Sequence, residues 1–332
     1  MKKTKIICTI GPSSNTKKVL SSLNKLGVNI FRINMSHTKI SDVPFILKKL
    51  KKSVGINKIC IDTEGAQLRT TVVSKKIVIK KNNIINIFNN NDNSTSKKIS
   101  LYPKFDILKI PLQSKIFVGF DGIILKVLKK NKDKNFLVTK VINSGILSSN
   151  KGVHIDKKIN LFCLTEKDKS AILYAREFGI KNFAMSFVNS EKDVILMRKI
   201  IGKKNYLISK IETLNAIKNL KKISKYSNAV LIDRGDLSRE VPIERIPLAQ
   251  EYIINLSKKT KTPVFVATNL LETMIRDSQP TRAESHDIYS TLKQGASGLV
   301  LAAESAIGLD PIACATFLKK CISQQYKKFN SK

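Results

Sequence analysis

At 332 residues, 42% of them hydrophobic, the chain can bury one large core or two of moderate size, and it has no apolar run near the roughly 20 residues that a helical membrane span requires. Its formal charge of +35 invites a nucleic-acid reading, but only nine of its sixty basic residues are arginine, tryptophan and zinc-finger spacing are absent, and the Lys-Lys pairs run through the whole chain. The abundance of Lys, Asn and Ile reads as a chain-wide compositional bias, so neither a specific nucleic-acid partner nor a membrane is expected.

The opening Met1-Lys2-Lys3-Thr4-Lys5 has the charge of a signal-peptide head, but the apolar run from Ile6 to Ile10 is too short to be its body, so a cytoplasmic location is expected. Five cysteines (Cys8, Cys60, Cys163, Cys314 and Cys321) form no CxxC pair and no His/Cys cluster, which fits a reducing compartment and argues against structural zinc.

In chain order, Thr4 to Ile10 reads as a strand closed by Gly11-Pro12-Ser13-Ser14, a turn expected to cap a helix over about residues 15–26 that ends at Gly27. A second strand covers Val28 to Ile33 and leads to Asn34-Met35-Ser36-His37; helical spacing follows over 40–52. A third strand, Lys58 to Ile61, ends in Asp62-Thr63-Glu64-Gly65. From about Val72 to Ile159 the helical rhythm gives way to short Val/Ile runs between Asn/Lys/Ser clusters, with Asn89 to Ser96 expected as a mobile low-complexity loop.

Thr165-Glu166-Lys167-Asp168 then opens a helix by a capping box, and strand-like runs follow at Asn182 to Phe187, Tyr206 to Ile211, Ala229 to Ile232, Val264 to Ala267 and Gly298 to Leu301. Helical patterns near 190–200, 213–225, 244–260 and 284–294 separate them, and a last helix runs from about Pro311 to Ser323. Three strands before the interruption and five after it make eight. The expected fold class is therefore α/β, a (β/α)8 TIM barrel over 1–70 and 160–332 with an inserted, β-barrel-like lid domain over 71–159.

Barrels of this class carry their chemistry at the C-terminal ends of the strands, and those ends are polar throughout. Arg32, Asn34 and Ser36 follow strand two, Asp62 and Thr63 strand three, Ser186 strand four, and Lys210 and Glu212 close strand five. Arg234-Gly235-Asp236 follow strand six, Thr268 strand seven and Glu304 strand eight. Side chains two apart on a strand share a face, so Lys210 and Glu212 project together. Glu212 and Asp236, on neighbouring strands, suit one Mg²⁺. Arg32 and Lys210 offer positive charge to a transferring phosphoryl group, and the Gly235 and Asp236 amides a seat for a carboxylate. Asn34, Ser36, Asp62 and Thr63 present oxygen donors with one formal charge, which suits a monovalent cation, and Thr268 offers a hydroxyl that can pass a proton through water. Together they imply a small phosphorylated acid as substrate. Simpler readings stay open: Lys210 and Glu212 as a strand-edge ion pair, Pro280-Thr281-Arg282-Ala283-Glu284 as a capping box, and Glu304 as a cap on the last short helix.

The chain also resembles the pyruvate kinase family, from Thr4 to about Pro311. The matching motifs are Lys5-Ile6-Ile7-Cys8-Thr9-Ile10-Gly11-Pro12-Ser13-Ser14, Phe31-Arg32-Ile33-Asn34-Met35-Ser36-His37, Asp62-Thr63 with Gly65 and Arg69, Ser209-Lys210-Ile211-Glu212, Arg234-Gly235-Asp236-Leu237, Ala267-Thr268, and Pro280 to Glu284. The resemblance implies Mg²⁺-dependent (or Mn²⁺-dependent) transfer of phosphate from phosphoenolpyruvate to ADP, giving pyruvate and ATP in glycolysis. It implies Lys210 as the catalytic lysine, Glu212 and Asp236 as divalent-metal ligands, and Arg32 and Arg69 as phosphate contacts. It further implies Asn34, Ser36, Asp62 and Thr63 as K⁺ ligands, Thr268 beside the enolate's protonated face, and His37, Asp121 and Lys151 on the nucleotide side; Ser186, from its place at the end of strand four, is expected at the substrate. A homo-oligomer is compatible with it.

The chain departs from the family's pattern at several points. Glu64, Ala66 and Gln67 replace the usual Lys, Pro and Glu, the last being associated with potassium dependence. Asp233 stands where alanine usually precedes Arg-Gly-Asp, Asn269-Leu270 replace Gln-Met, and Ala302-Ala303-Glu304-Ser305 with Ile307 replace Ser-Gly-Glu-Thr and a lysine. The family's C-terminal domain has no counterpart in the sequence, so control through that domain is not expected. Two other readings remain: a diverged paralogue acting as a lyase or other phosphotransferase on an enolpyruvate-type substrate, and a non-catalytic paralogue that binds polyanions.

Overall fold

A computed structural model of the chain describes residues 4–65, 67–119, 122–157, 159 and 161–325. Two compact units emerge: Met1–Gly65 with Glu166–Lys332, and Ala66–Thr165.

The larger unit is a closed barrel of eight parallel strands: β1 (Lys5–Thr9), β2 (Ile30–Asn34), β3 (Ile59–Asp62), β4 (Asn182–Met185), β5 (Tyr206–Ile211), β6 (Ala229–Asp233), β7 (Val264–Ala267) and β8 (Gly298–Leu301). Each pairs with its neighbour in chain order, and β8 closes on β1 with Lys5 opposite Gly298 and Cys8 opposite Leu301. The unit is thus a (β/α)8 barrel, with helices between the strands packed outside it.

Alternation along each strand decides what fills the barrel. The inward set is Ile7, Ile30, Cys60, Ala184, Ile208, Ala229, Leu231, Phe265, Ala267 and Val300, all buried and in mutual contact. Gly298 leaves room for Phe265: a Cβ there would run into the Phe265 ring and come 2.8 Å from the Lys5 carbonyl. Cys8, Cys60 and Cys314 are buried free thiols, and burial pushes their pKa values up, consistent with packing as small hydrophobes.

The first helix is Lys17–Lys25, and its cap is Thr16, whose Oγ1 accepts from the Val19 amide; Ser14 instead accepts from the Gly11 amide within the preceding turn. The helix expected over 213–225 is two, Leu214–Lys218 and Leu220–Tyr226. They break at Asn219, whose side-chain amide is drawn away to the Asn189 carbonyl. The Pro280–Glu284 segment does form a capping box, with Thr281 and Glu284 exchanging bonds at the start of Arg282–Gln294.

The smaller unit closes seven strands into its own barrel and adds a two-stranded ribbon, Ile77–Ile79 against Gly145–Leu147; among its described residues there is no α-helix. Its separate core is built almost entirely of Ile, Leu and Val. The Asn89 to Ser96 tract is held down rather than loose. The Asn89 side chain donates to the Leu101 and Pro103 carbonyls and accepts from the Phe105 amide, while buried Ser94 donates its amide to the Val72 carbonyl. No described helix is long and apolar enough to cross a membrane.

Candidate active site

The inward phase of the strands does not stop with the apolar core. Two residues beyond Ile7, Ile30, Cys60, Ala184, Ile208 and Leu231 stand Thr9, Arg32, Asp62, Ser186, Lys210 and Asp233, all buried. The same period that packs the interior therefore lays a polar layer over it at the C-terminal mouth.

Lys210 is the hub. Its Nζ lies 2.7 Å from Glu212 Oε1, 3.3 Å from Asp233 Oδ2 and 3.6 Å from Asp62 Oδ2, and donates to Ser186 Oγ at 3.2 Å. Burial alone would lower its pKa, but the three carboxylates outweigh burial and hold the ammonium above its ordinary range. Arg32 stands beside it, Nε donating to Thr9 Oγ1 at 2.9 Å and Nη1 to Asp62 Oδ2 at 3.3 Å. Two cations thus share Asp62, 0% exposed at the end of β3.

Glu212, 1% exposed, accepts from the Phe187 amide through Oε2 at 2.5 Å. Burial pushes its carboxyl up to about 8, with the Asp236 and Asp233 charges adding and the Lys210 ammonium opposing. Asp233 moves the other way: burial raises it, but Lys210, the Thr268 hydroxyl and Arg32 bring it below its ordinary value. Carboxylate oxygens of Glu212, Asp233 and Asp236 lie within 4.8 Å of one another. Oxygen ligands on opposite sides of one Mg²⁺ are about 4.2 Å apart, so hard donors up to 4.8 Å apart need only a small inward shift to share Mg²⁺ or Mn²⁺. Asp233 was legible as a charge near the site but not as part of this trio. The signal that finds it is the period-two step from Leu231.

Thr268 reaches the same place by a different route. It follows Ala267, which faces inward, so alternation would send it outward; instead Thr268 and Asn269 both have positive φ, 77° and 58°, and the chain turns. Thr268 Oγ1 then donates to Asp233 Oδ1 at 2.7 Å. Gly235, in the helical turn Arg234–Leu237, packs so tightly here that a Cβ would lie 2.9 Å from Thr268 Cγ2.

Asn34 and Asp62 are opposite one another on β2 and β3, and Asn34 Oδ1 accepts from the Ser36 amide. Thr63 Oγ1 accepts from the Ser186 amide while the Ser186 hydroxyl donates to the Thr63 carbonyl at 2.7 Å. The four oxygen-bearing residues Asn34, Ser36, Asp62 and Thr63 thus cluster at the ends of two adjacent strands. His37 is exposed in the turn after β2. Glu304 is a scaffold residue, accepting the Leu271 amide at 3.2 Å and the Ala302 amide at 2.7 Å. Glu64 pairs with Lys167 at 3.1 Å, and the amides of Glu64 and Gly65 donate to buried Asp168, so the altered loop after β3 is pinned.

Arg69 and Lys151 belong to the smaller unit, where Arg69 pairs in register with Gly152, the residue after Lys151. Asp121 lies outside the described residues.

A family model described as "Pyruvate kinase, barrel domain" matches residues 1–315. Among curated relatives, a pyruvate kinase of Thermotoga maritima is 35% identical over 99% of this chain and 72% of its own length. One from Bacillus licheniformis is 33% identical over 100% of this chain and 58% of its own length, and one from Clostridium acetobutylicum 32% identical over 99% and 72%. The chain therefore spans between about half and three quarters of the length of these proteins. Matched along nearly all of its described barrel, and at this level of identity across its whole length, the chain belongs to the pyruvate kinase family.

Proposed function

We propose that the chain catalyses divalent-metal-dependent phosphoryl transfer from phosphoenolpyruvate to ADP, giving pyruvate and ATP, the glycolytic reaction by which its relatives are named. The observation that carries this proposal is the convergence of Lys210 with Arg32 and with the carboxylates of Glu212, Asp233 and Asp236 at one barrel mouth.

Glu212 and Asp236 would hold Mg²⁺ or Mn²⁺, while the two oxygens of Asp233 stay with Thr268 and Lys210. When bound there, such an ion supplies a fixed positive charge against developing negative charge on enolate and phosphoryl oxygens. Lys210 and Arg32 present their charges from a buried layer in which neither has to reorganise, the arrangement that stabilises a spreading phosphoryl charge most effectively. Ser186 and Asp62 keep the Lys210 ammonium from swinging out of line. The Gly235 and Asp236 amides, at the turn that follows β6, are assigned to the substrate carboxylate. Thr268 works on the opposite requirement, moving a proton through water to the enolate carbon. Arg69, His37, Lys151 and Asp121 are assigned to the phosphate and nucleotide by resemblance alone. Asn34, Ser36, Asp62 and Thr63 are assigned to K⁺, and a cytoplasmic location belongs to the same proposal.

The third carboxylate also favours a second reading, an enolising lyase or a phosphotransferase with another acceptor, because Asp233 competes with a phosphoryl group for Lys210. Steady-state turnover of purified protein with phosphoenolpyruvate and ADP, with Mg²⁺ or Mn²⁺ and with K⁺ or Li⁺, decides between them. Turnover that disappears in Glu212→Ala supports the proposal. A well-folded wild type that enolises pyruvate but never turns over ADP would reject it in favour of the second reading.

A further inference from the structure

Thr268 occupies a backbone region that β-branched residues avoid, φ 77°, and a conformation of that kind persists only where its surroundings over-determine it. Here the grip comes from three consecutive residues at the end of β6. Asp233 Oδ1 accepts the Thr268 hydroxyl hydrogen at 2.7 Å. Arg234 donates to the Thr268 carbonyl twice, from Nε at 3.0 Å and Nη2 at 2.6 Å. Gly235 leaves space for the Thr268 methyl group. Arg234 is itself fixed, since its Nη1 donates to both oxygens of Asp287 at 2.9 and 2.8 Å. Hydroxyl, carbonyl and methyl of one residue are each held.

Asp233 does a second thing that its neighbours do not. Its other oxygen, Oδ2, lies 3.3 Å from Lys210 Nζ. A single buried carboxylate therefore spans the group that handles a proton and the group that handles phosphoryl charge.

We propose that Asp233 is a positioning residue that fixes the Thr268 hydroxyl against Lys210, so that proton transfer at the substrate carbon and charge stabilisation at the phosphoryl group share one rigid frame. This rests on the function proposed above. With its only hydrogen committed to Asp233, Thr268 Oγ1 turns its lone pairs outward and accepts a hydrogen bond from the water that exchanges protons with the substrate. Without the carboxylate the hydroxyl hydrogen rotates freely about the Cβ–Oγ1 bond, and the water loses its anchor. The same carboxylate competes with an incoming phosphoryl group for the Lys210 ammonium, so its removal leaves the binding of a phosphorylated acid no weaker.

The test compares the wild type with Asp233→Ala, Thr268→Val and the double variant in two half-reactions. One is deuterium exchange into the pyruvate methyl group, followed by proton NMR with Mn²⁺-free Mg²⁺ buffer. The other is phosphoenolpyruvate/ADP turnover. Asp233→Ala is expected to slow methyl exchange about tenfold or more, the scale on which small misplacements act, while KM for phosphoenolpyruvate stays level or falls. The double variant is expected to exchange no more slowly than Thr268→Val alone, because both changes remove one contact. A general loosening of the loop would instead raise KM and slow both half-reactions by the same factor, and that result would overturn the proposal, as would strictly multiplicative losses in the double variant. A wild type with neither exchange nor turnover refutes the proposed function itself. Melting temperatures of the same four proteins test the contact separately: the double variant should melt no lower than the less stable single variant, and additive falls would show that Asp233 and Thr268 do not act together.

Discussion

Replacing Lys210 by methionine keeps the length of the side chain and deletes its charge. The consequence follows from what surrounds it: Glu212 Oε1 at 2.7 Å, Asp233 Oδ2 at 3.3 Å and Asp62 Oδ2 at 3.6 Å, with Arg32 the other cation in contact with Asp62. Removing one partner from a buried ion cluster costs about 3–5 kcal/mol, because the charges left behind remain desolvated. In a domain of this size each kcal/mol moves the melting temperature by about 2–4 °C, so the variant should melt about 10 °C lower. A divalent ion held by Glu212 and Asp236, beside Asp233, relieves much of that repulsion, so added Mn²⁺ should raise the melting temperature more in Lys210→Met than in the wild type. For turnover, losing one of two preorganised cations on a transferring phosphoryl group should lower kcat by about 10³-fold, or about 4 kcal/mol at 1.36 kcal/mol per factor of ten. The assay is coupled phosphoenolpyruvate/ADP turnover alongside thermal melts with and without Mn²⁺. A folded Lys210→Met protein that keeps more than about a tenth of wild-type kcat would refute a catalytic role for the ammonium. An unchanged melting temperature would refute the buried cluster itself.

Glu212, pushed up to about 8 from an ordinary 4.5, makes divalent binding pH-dependent. Its raised value means that the stability it contributes is full below pH 4.5 and is lost as pH rises through about 8. Metal binding requires the carboxylate, so Mn²⁺ affinity measured by titration calorimetry should rise by about tenfold between pH 6 and 7 and level off above about pH 8; a flat profile would contradict the shift. Gly298→Ala should destabilise the protein by about 1–3 kcal/mol in urea melts, since the new methyl has to displace the Phe265 ring or the Lys5 carbonyl. No loss of stability there would mean that the barrel interior is looser than its packing indicates. Asp168→Ala strips the acceptor from the Glu64 and Gly65 amides and should cost about 1–3 kcal/mol, read from the same melts. Equal stability would show those amides satisfied elsewhere.

The eight-unit rhythm, the interruption after the third strand and the polar strand ends were all legible in the sequence, because each follows from local periods. The parallel register turns those periods into shared space. Knowing that Ile208 faces inward is enough to place Lys210 inward as well, and Lys210 with Glu212 met as the two-residue spacing requires. The same logic, applied to Leu231, reaches Asp233, whose partnership with both Lys210 and Thr268 no single segment reveals.

What the chain order alone could not decide is where local rules are broken by distant contacts. Thr268 sits where alternation would turn it away, and it is the Asp233–Gly235 turn, whose Asp233 lies 35 positions earlier, that holds it in a left-handed backbone. Glu304 looks equally chemical in sequence, yet the fold spends both its oxygens on the amides of Leu271 and Ala302. Asn219 divides one expected helix into two for the sake of the Asn189 carbonyl. Periodicity is a property of neighbours along the chain and so is written in it; hydrogen-bond partners across the barrel mouth exist only after eight strands have closed.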